Sequence, residues 1–225
     1  MNSLRITKIV TSILLLLLFI PLIQELFAQL GLTLFGEALY EDNPWLRTIF
    51  THGILLVLVM LYFLAQLEPL REWGFVYKKQ LLLTSTAIGV LAAITLFFVD
   101  NQEGLFAAYN VPTNPTLLVA IGFLFTWGIL GPLAEELLFR GALQTTLTRY
   151  TTKPWIPILV TVVCEVALHA GLFYAGIKNV PMLLYVAVLA TIACWVYYRT
   201  KSLLGPFIIH ALGNAGELLL YWIFL

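Results

Sequence analysis

The stretch PLAEELLFRGALQ, residues 132–144, decides how the whole chain is read. It sets two adjacent glutamates, Glu135 and Glu136, and an arginine, Arg140, inside a run that is otherwise apolar. In a membrane helix a carboxylate costs about 2.5–3.5 kcal/mol on insertion scales, so such residues call for a reason. Helical spacing sorts them. Glu136 and Arg140 lie four apart on one face and can form an ion pair. Glu135 points about 100° away around the helix, off that pair. One carboxylate is then neutralised by its arginine, and the other is left free. Gly131 and Pro132 just upstream predict a break in the helix, which membranes tolerate where the backbone lines a cavity.

The surrounding composition says that the solvent is lipid. Of 225 residues, 61% are hydrophobic and only 11% are charged, with a net charge of zero. Soluble domains carry about 25% charged residues, so this chain could not cover a soluble surface. Segments of about 20 apolar residues mark spanning helices. Seven are predicted: Ile9 to Leu30, Thr48 to Gln66, Leu81 to Val99, Thr116 to about Leu143, Trp155 to Ala175, Val180 to Tyr198 and Leu203 to Leu225. Alternating barrel strands are not seen. The fold class is therefore an all-α polytopic bundle of about seven transmembrane helices, read as one membrane domain over 1–225.

Basic residues set the orientation. Arg5 and Lys8 precede the first span, Arg71, Lys78 and Lys79 follow the second, Arg149 and Lys153 the fourth, and Arg199 and Lys201 the sixth. The alternate loops hold mainly acids: Glu37, Glu41, Asp42, Asp100 and Glu103, with Arg47 and Lys178 against the trend. Seven spans with a cytoplasmic N-terminus satisfy every basic cluster. The first segment lacks a small-x-small cleavage site, so it reads as an uncleaved helix, bent or ended early by Pro21. Cys164 and Cys194 fall inside spans, which argues against a disulfide framework. Neutral charge gives no reason to expect nucleic acid; the partners read are membrane lipids and a membrane-anchored peptide or protein. A bacterial inner membrane is the expected location.

The ionisable residues inside the spans are few: Glu135, Glu136, Arg140, Glu165, His169, His210 and Glu217, with His52 apart in the second. They concentrate in spans four, five and seven, so the chemistry is expected in the C-terminal half. His52 has no polar neighbour at helical spacing and is read as an interhelical hydrogen-bonding residue. His210 and Asn214 share a face, with Glu217 on roughly the same side and its role open. Glu165 and His169 share a face of span five. Two glutamates, two histidines and an asparagine on three helices are too costly for packing alone.

These motifs resemble those of the type II CAAX-prenyl endopeptidases and their bacterial relatives, the CPBP or Abi proteins. E-E-x-x-x-R is matched by Glu135, Glu136 and Arg140, the histidine of F-x-x-x-H by His169, and H-x-x-x-N by His210 and Asn214. The resemblance spans about residues 115–220, a protease core formed by the last four helices behind N-terminal helices in 1–114. One position departs: Glu165 stands where the family has phenylalanine. It is placed to hydrogen-bond His169, or else to face another helix.

The resemblance implies hydrolysis of a peptide bond within the membrane. Glu135 is then the general base on water, and Arg140 holds Glu136. His169 orients the water or passes a proton to the leaving amine, and His210 and Asn214 donate to the oxyanion. No cofactor is favoured; the metal alternative is zinc on Glu135, His169 and His210 with Glu136 as base. The usual H-E-x-x-H helix is absent. A serine elbow is missing around Ser85, and the only aspartates, Asp42 and Asp100, fall in loops. Two other classes compete: a non-proteolytic interaction protein such as a bacteriocin-immunity or assembly factor, and a proton-coupled transporter, which should show repeats that this chain lacks. Depth sets a condition on the site. Glu135 and His169 come level only if the fourth helix runs on to about Arg149 or the fifth begins later.

Overall fold

The computed structural model describes residues 20, 22–37, 39, 43–65, 74, 77, 79–99, 111–174 and 180–224. The first half of the first predicted span lies outside them, as do Pro21, Arg5, Lys8, Arg71, Lys78, Lys178, Glu41, Asp42, Asp100 and Glu103. Seven helical segments follow one another among the described residues: α1 (Leu22–Phe35), α2 (Trp45–Ala65), α3 (Lys79–Val99), α4 (Leu117–Tyr150), α5 (Trp155–Tyr174), α6 (Val180–Thr200) and α7 (Leu204–Phe224). The helices α3, α4, α6 and α7 are long and apolar enough to cross a membrane, and shorter apolar stretches lie in α1, α2 and α5. The chain is an integral membrane protein built as a helical bundle.

Local chemistry explains the helix ends. Gly36, at φ 78°, takes the left-handed conformation that closes α1 beyond the predicted end at Leu30. The Thr116 hydroxyl caps α4 by accepting from the Val119 N–H at 3.4 Å. Pro157, Pro181 and Pro206 each sit in the first turn of α5, α6 and α7, where a missing N–H leaves no helical bond unmade.

The predicted break at Gly131 and Pro132 is not there. α4 runs through, and its backbone widens instead into two π-helical segments, Thr126–Leu130 and Leu137–Gln144. A proline ring normally collides with the carbonyl four residues before it. Here the turn ahead of Pro132 is already wide, with the Gly131 N–H bonded five residues back to the Thr126 carbonyl. The ring fits without a kink. α4 thus reaches Tyr150, past the predicted end near Leu143, which meets the depth condition. Glu135 lies fifteen residues before Tyr150 and His169 fourteen after Trp155, about 22 and 21 Å from the α4–α5 turn. The two side chains come level.

Small residues bring the helices together, as expected where lipid offers no hydrophobic drive to pair them. α3 and α7 touch along Gly89, Gly205 and Gly216: a Cβ on Gly216 would stand 2.6 Å from the Ala93 Cβ. α2 runs alongside α4 in the same direction. Its Trp45 ring occupies the space left by Gly122, and its His52 ring lies beside Gly131. Gly216→Val should therefore overpack the α3–α7 seam and cost about 1–3 kcal/mol in a denaturant titration in micelles. Gly53→Ala meets nothing within 4 Å and should not destabilise. Equal midpoints for the two variants would contradict the packing described.

Candidate active site

The site is built on a buried cation. Arg140 is 1% exposed, and its guanidinium is shared among three helices. Nη1 donates to Glu136 Oε1 at 3.1 Å on its own helix and to Glu165 Oε1 at 3.0 Å on α5. Nη2 lies 2.8 Å from Glu165 Oε2 and donates to the Ala190 carbonyl of α6 at 3.2 Å. Glu165 thus meets the guanidinium through one hydrogen bond at Oε1 and a close ion-pair contact at Oε2. One turn on, the Gln144 amide donates to the Cys194 carbonyl at 2.9 Å. Donors four apart on α4 thus engage carbonyls four apart on α6, which sets the register of the two helices.

Of the two readings of Glu165, the structure bears out the one in which it faces another helix. Its carboxylate does not hydrogen-bond the His169 ring; it faces α4 and takes Arg140. The tie between Glu165 and His169 is made instead by the backbone, with His169 Nδ1 at 2.9 Å from the Glu165 carbonyl. A carbonyl can only accept, so Nδ1 carries the hydrogen and the other ring nitrogen is turned to Glu135.

The same arrangement recurs around Glu135. His210 Nδ1 is held by Glu136 Oε1 at 3.1 Å, and its Nε2 lies 3.9 Å from Glu135 Oε2. His169 Nε2 lies at the same 3.9 Å from that oxygen. A third imidazole comes from α2: His52 Nε2 is 3.4 Å from Glu135 Oε1, while its Nδ1 faces the Thr48 carbonyl at 3.3 Å and the Thr51 hydroxyl at 3.2 Å. His52 thus makes the interhelical contact expected of it, but to Glu135, so it does not stand apart from the ionisable cluster. Its sequence signal was its presence as an ionisable residue in an apolar span. Its partner could not be read, because the contact is made across helices through the gap at Gly131.

Asn214 is fixed by the unusual backbone of α4. The Trp127 carbonyl cannot bond residue 132, a proline, and the Gly131 N–H is already committed to Thr126. The Asn214 amide donates to that Trp127 carbonyl at 3.2 Å, which leaves one further N–H on Asn214. The predicted break is thus replaced by a carbonyl that α7 reaches.

All six residues singled out by the motifs, Glu135, Glu136, Arg140, His169, His210 and Asn214, line one cavity of about 90 Å³, together with His52, Glu165 and Tyr185. Glu217 is buried on the same helix as His210 but is not among the lining residues. Glu135 Oε2 is buried there without a direct hydrogen-bond partner. Carboxylate and imidazole are zinc donors by type, and zinc holds them at about 2.0–2.2 Å. As placed, no three His, Cys, Asp or Glu groups among the described residues close on a common metal centre.

Carboxylates and imidazoles gathered in one hollow of an apolar helical bundle define a class of site suited to acid–base chemistry. A family likeness comes from the sequence around it. Residues 114–216 match the family model described as type II CAAX prenyl endopeptidase Rce1-like, so this stretch of the chain is similar to that family. No curated protein and no solved structure matches the chain. The match contains both glutamates, Arg140, His169, His210 and Asn214; His52 lies outside it.

Removing the cation would strand two buried carboxylates. Arg140→Met should destabilise the protein by about 3–5 kcal/mol. Gln144→Leu, which removes a neutral donor, should cost about 1 kcal/mol. Unfolding midpoints of the purified variants check the order; Arg140→Met unfolding like the parent would contradict the shared-cation description.

Proposed function

We propose that the protein is an intramembrane endopeptidase that cleaves a membrane-anchored peptide or protein with water activated by Glu135. The observation that carries this is the convergence of imidazoles from separate helices on one carboxylate, inside a small polar cavity of an otherwise apolar bundle. The Rce1-like match supports peptide-bond hydrolysis as the reaction class.

A gap of 3.9 Å is too long for a direct hydrogen bond and suits one bridging water. A water seated among Glu135 Oε2, His169 Nε2 and His210 Nε2 meets three polar partners. Glu135 takes its proton as the oxygen attacks the scissile carbonyl. The tetrahedral oxyanion is met by the remaining N–H of Asn214 and by His210 donating from Nε2 while its Nδ1–H stays on Glu136. A single such donor is worth about 10²–10³ in rate. The proton taken by Glu135 then reaches the leaving amine, directly or through His169, and the C–N bond breaks. One water is consumed, giving a carboxylate and an amine.

Arg140 and Glu165 act at one remove in this scheme. They hold Glu136, and through it the His210 ring, without touching the substrate. The basic clusters bounding the spans support a cytoplasmic N-terminus.

Glu135→Gln should abolish cleavage while keeping the fold, and should hold its substrate in native membranes long enough for capture and identification by mass spectrometry. An unimpaired biological effect in Glu135→Ala would instead favour a non-proteolytic interaction role. Cleavage by the purified enzyme should survive exhaustive chelation. Stoichiometric zinc whose removal abolishes activity would sink the metal-free mechanism.

A further inference from the structure

Glu135 has two oxygens in different circumstances. Oε2 faces His169 and His210 across 3.9 Å and is buried without a direct hydrogen bond; Oε1 is engaged by His52 at 3.4 Å. A carboxylate held at neither oxygen turns about its last bond and presents its lone pairs in no fixed direction. Held at Oε1, it presents Oε2 to the cavity. The hold is itself supported. His52 Nδ1 is fixed by the Thr48 carbonyl, and the Thr51 hydroxyl beside it donates to the Arg47 and Thr48 carbonyls, leaving its lone pair to the ring; with Nδ1–H so placed, the ring holds Glu135 Oε1 as the doubly protonated imidazolium, donating from Nε2 as well. The ring also has a made seat: a Cβ on Gly131 would come within 3.2 Å of His52 Cδ2.

We propose that His52, on a helix outside the stretch that matches the family, is a positioning residue that fixes the Glu135 carboxylate so that Oε2 faces the reacting water. The proposal rests on the endopeptidase reading for its consequence in catalysis, but the contact can be tested without a substrate. A space-filling role predicts that leucine replaces His52; a hydrogen-bonding role predicts that glutamine does, since its amide N–H reaches the same carboxylate.

The test has two readouts on the full chain in proteoliposomes. The first is labelling of Glu135 by dicyclohexylcarbodiimide, an apolar carboxyl reagent, followed by mass spectrometry with Glu136 and Glu165 as internal controls. His52→Leu uncaps Oε1 and should raise Glu135 labelling about tenfold, the change matching loss of one hydrogen bond to a charged group. His52→Gln should restore it. The second is turnover of a fluorogenic farnesylated peptide ending in a CAAX sequence. There His52→Leu should lower kcat by about ten- to a hundredfold with KM within about twofold, and His52→Gln should recover most of the loss. Gly131→Ala, which presses on the ring while leaving its chemistry intact, should move both readouts the same way by less, and serves if His52→Leu does not fold. Labelling unchanged in His52→Leu and Gly131→Ala, or glutamine no better than leucine, overturns the proposal. A parent protein that leaves this peptide uncut, with the labelling pattern as expected, rules out the farnesylated CAAX peptide as substrate and upholds the positioning of Glu135.

Discussion

A guanidinium sealed inside a membrane bundle is the constraint on which the rest depends. Arg140 cannot shed its charge, and lipid offers it no hydration. Every compensating group must therefore come from the protein, and three are supplied: two carboxylates and a backbone carbonyl. Those partners sit on α4, α5 and α6, so meeting the electrostatic demand of one side chain fixes three helices against one another. The cavity lies along this network. His210 is aimed by Glu136, and Glu136 is held by Arg140. A charge too expensive to leave alone becomes the scaffold that orients its neighbours.

The backbone of α4 makes a second accommodation. Proline at 132 and glycine at 131 would end or bend an ordinary helix, yet the chain passes through with two wide turns. π-helical segments are found mostly at functional sites, because they rotate the side chains that follow and free carbonyls for other partners. Both effects operate here. The Trp127 carbonyl is released to Asn214, and the Thr145 N–H reaches back five residues to the Arg140 carbonyl. Proline at this depth is tolerated because a side chain from α7 satisfies the carbonyl its missing hydrogen leaves open.

The chemistry of the hollow follows from asymmetry among like groups. Each of three imidazoles has one nitrogen tied to a fixed acceptor and the other turned to the same carboxylate. That removes the ambiguity of ring tautomer that a free histidine carries. Glu136 and Glu165 are paired with Arg140, whereas, among the described residues, the ionisable partners at the Glu135 oxygens are imidazoles. Adjacent, chemically identical glutamates thus acquire different environments from a rotation of about 100° around one helix.

Much of this was legible before any coordinates, for physical reasons. Hydrophobic runs of the length a bilayer requires located the helices from Lys79 to Phe224 to within about two residues at each end, except at the end of α4, which runs on to Tyr150. The four-residue spacing of Glu136 and Arg140 was enough to pair them, since that contact is local to one helix. The motif residues could be gathered on the same ground: an ionisable group in lipid must face something polar. What sequence could not say was which groups meet across helices. Glu165 meets Arg140 and not His169, and His52 belongs to the site although nothing within its own helix points there. Those pairings depend on interhelical register, set by glycine gaps at 122 and 131 and by side chains reaching carbonyls on α6. The number and character of the spans are properties of each segment with its solvent, while the partners of each buried charge are a property of the packed bundle.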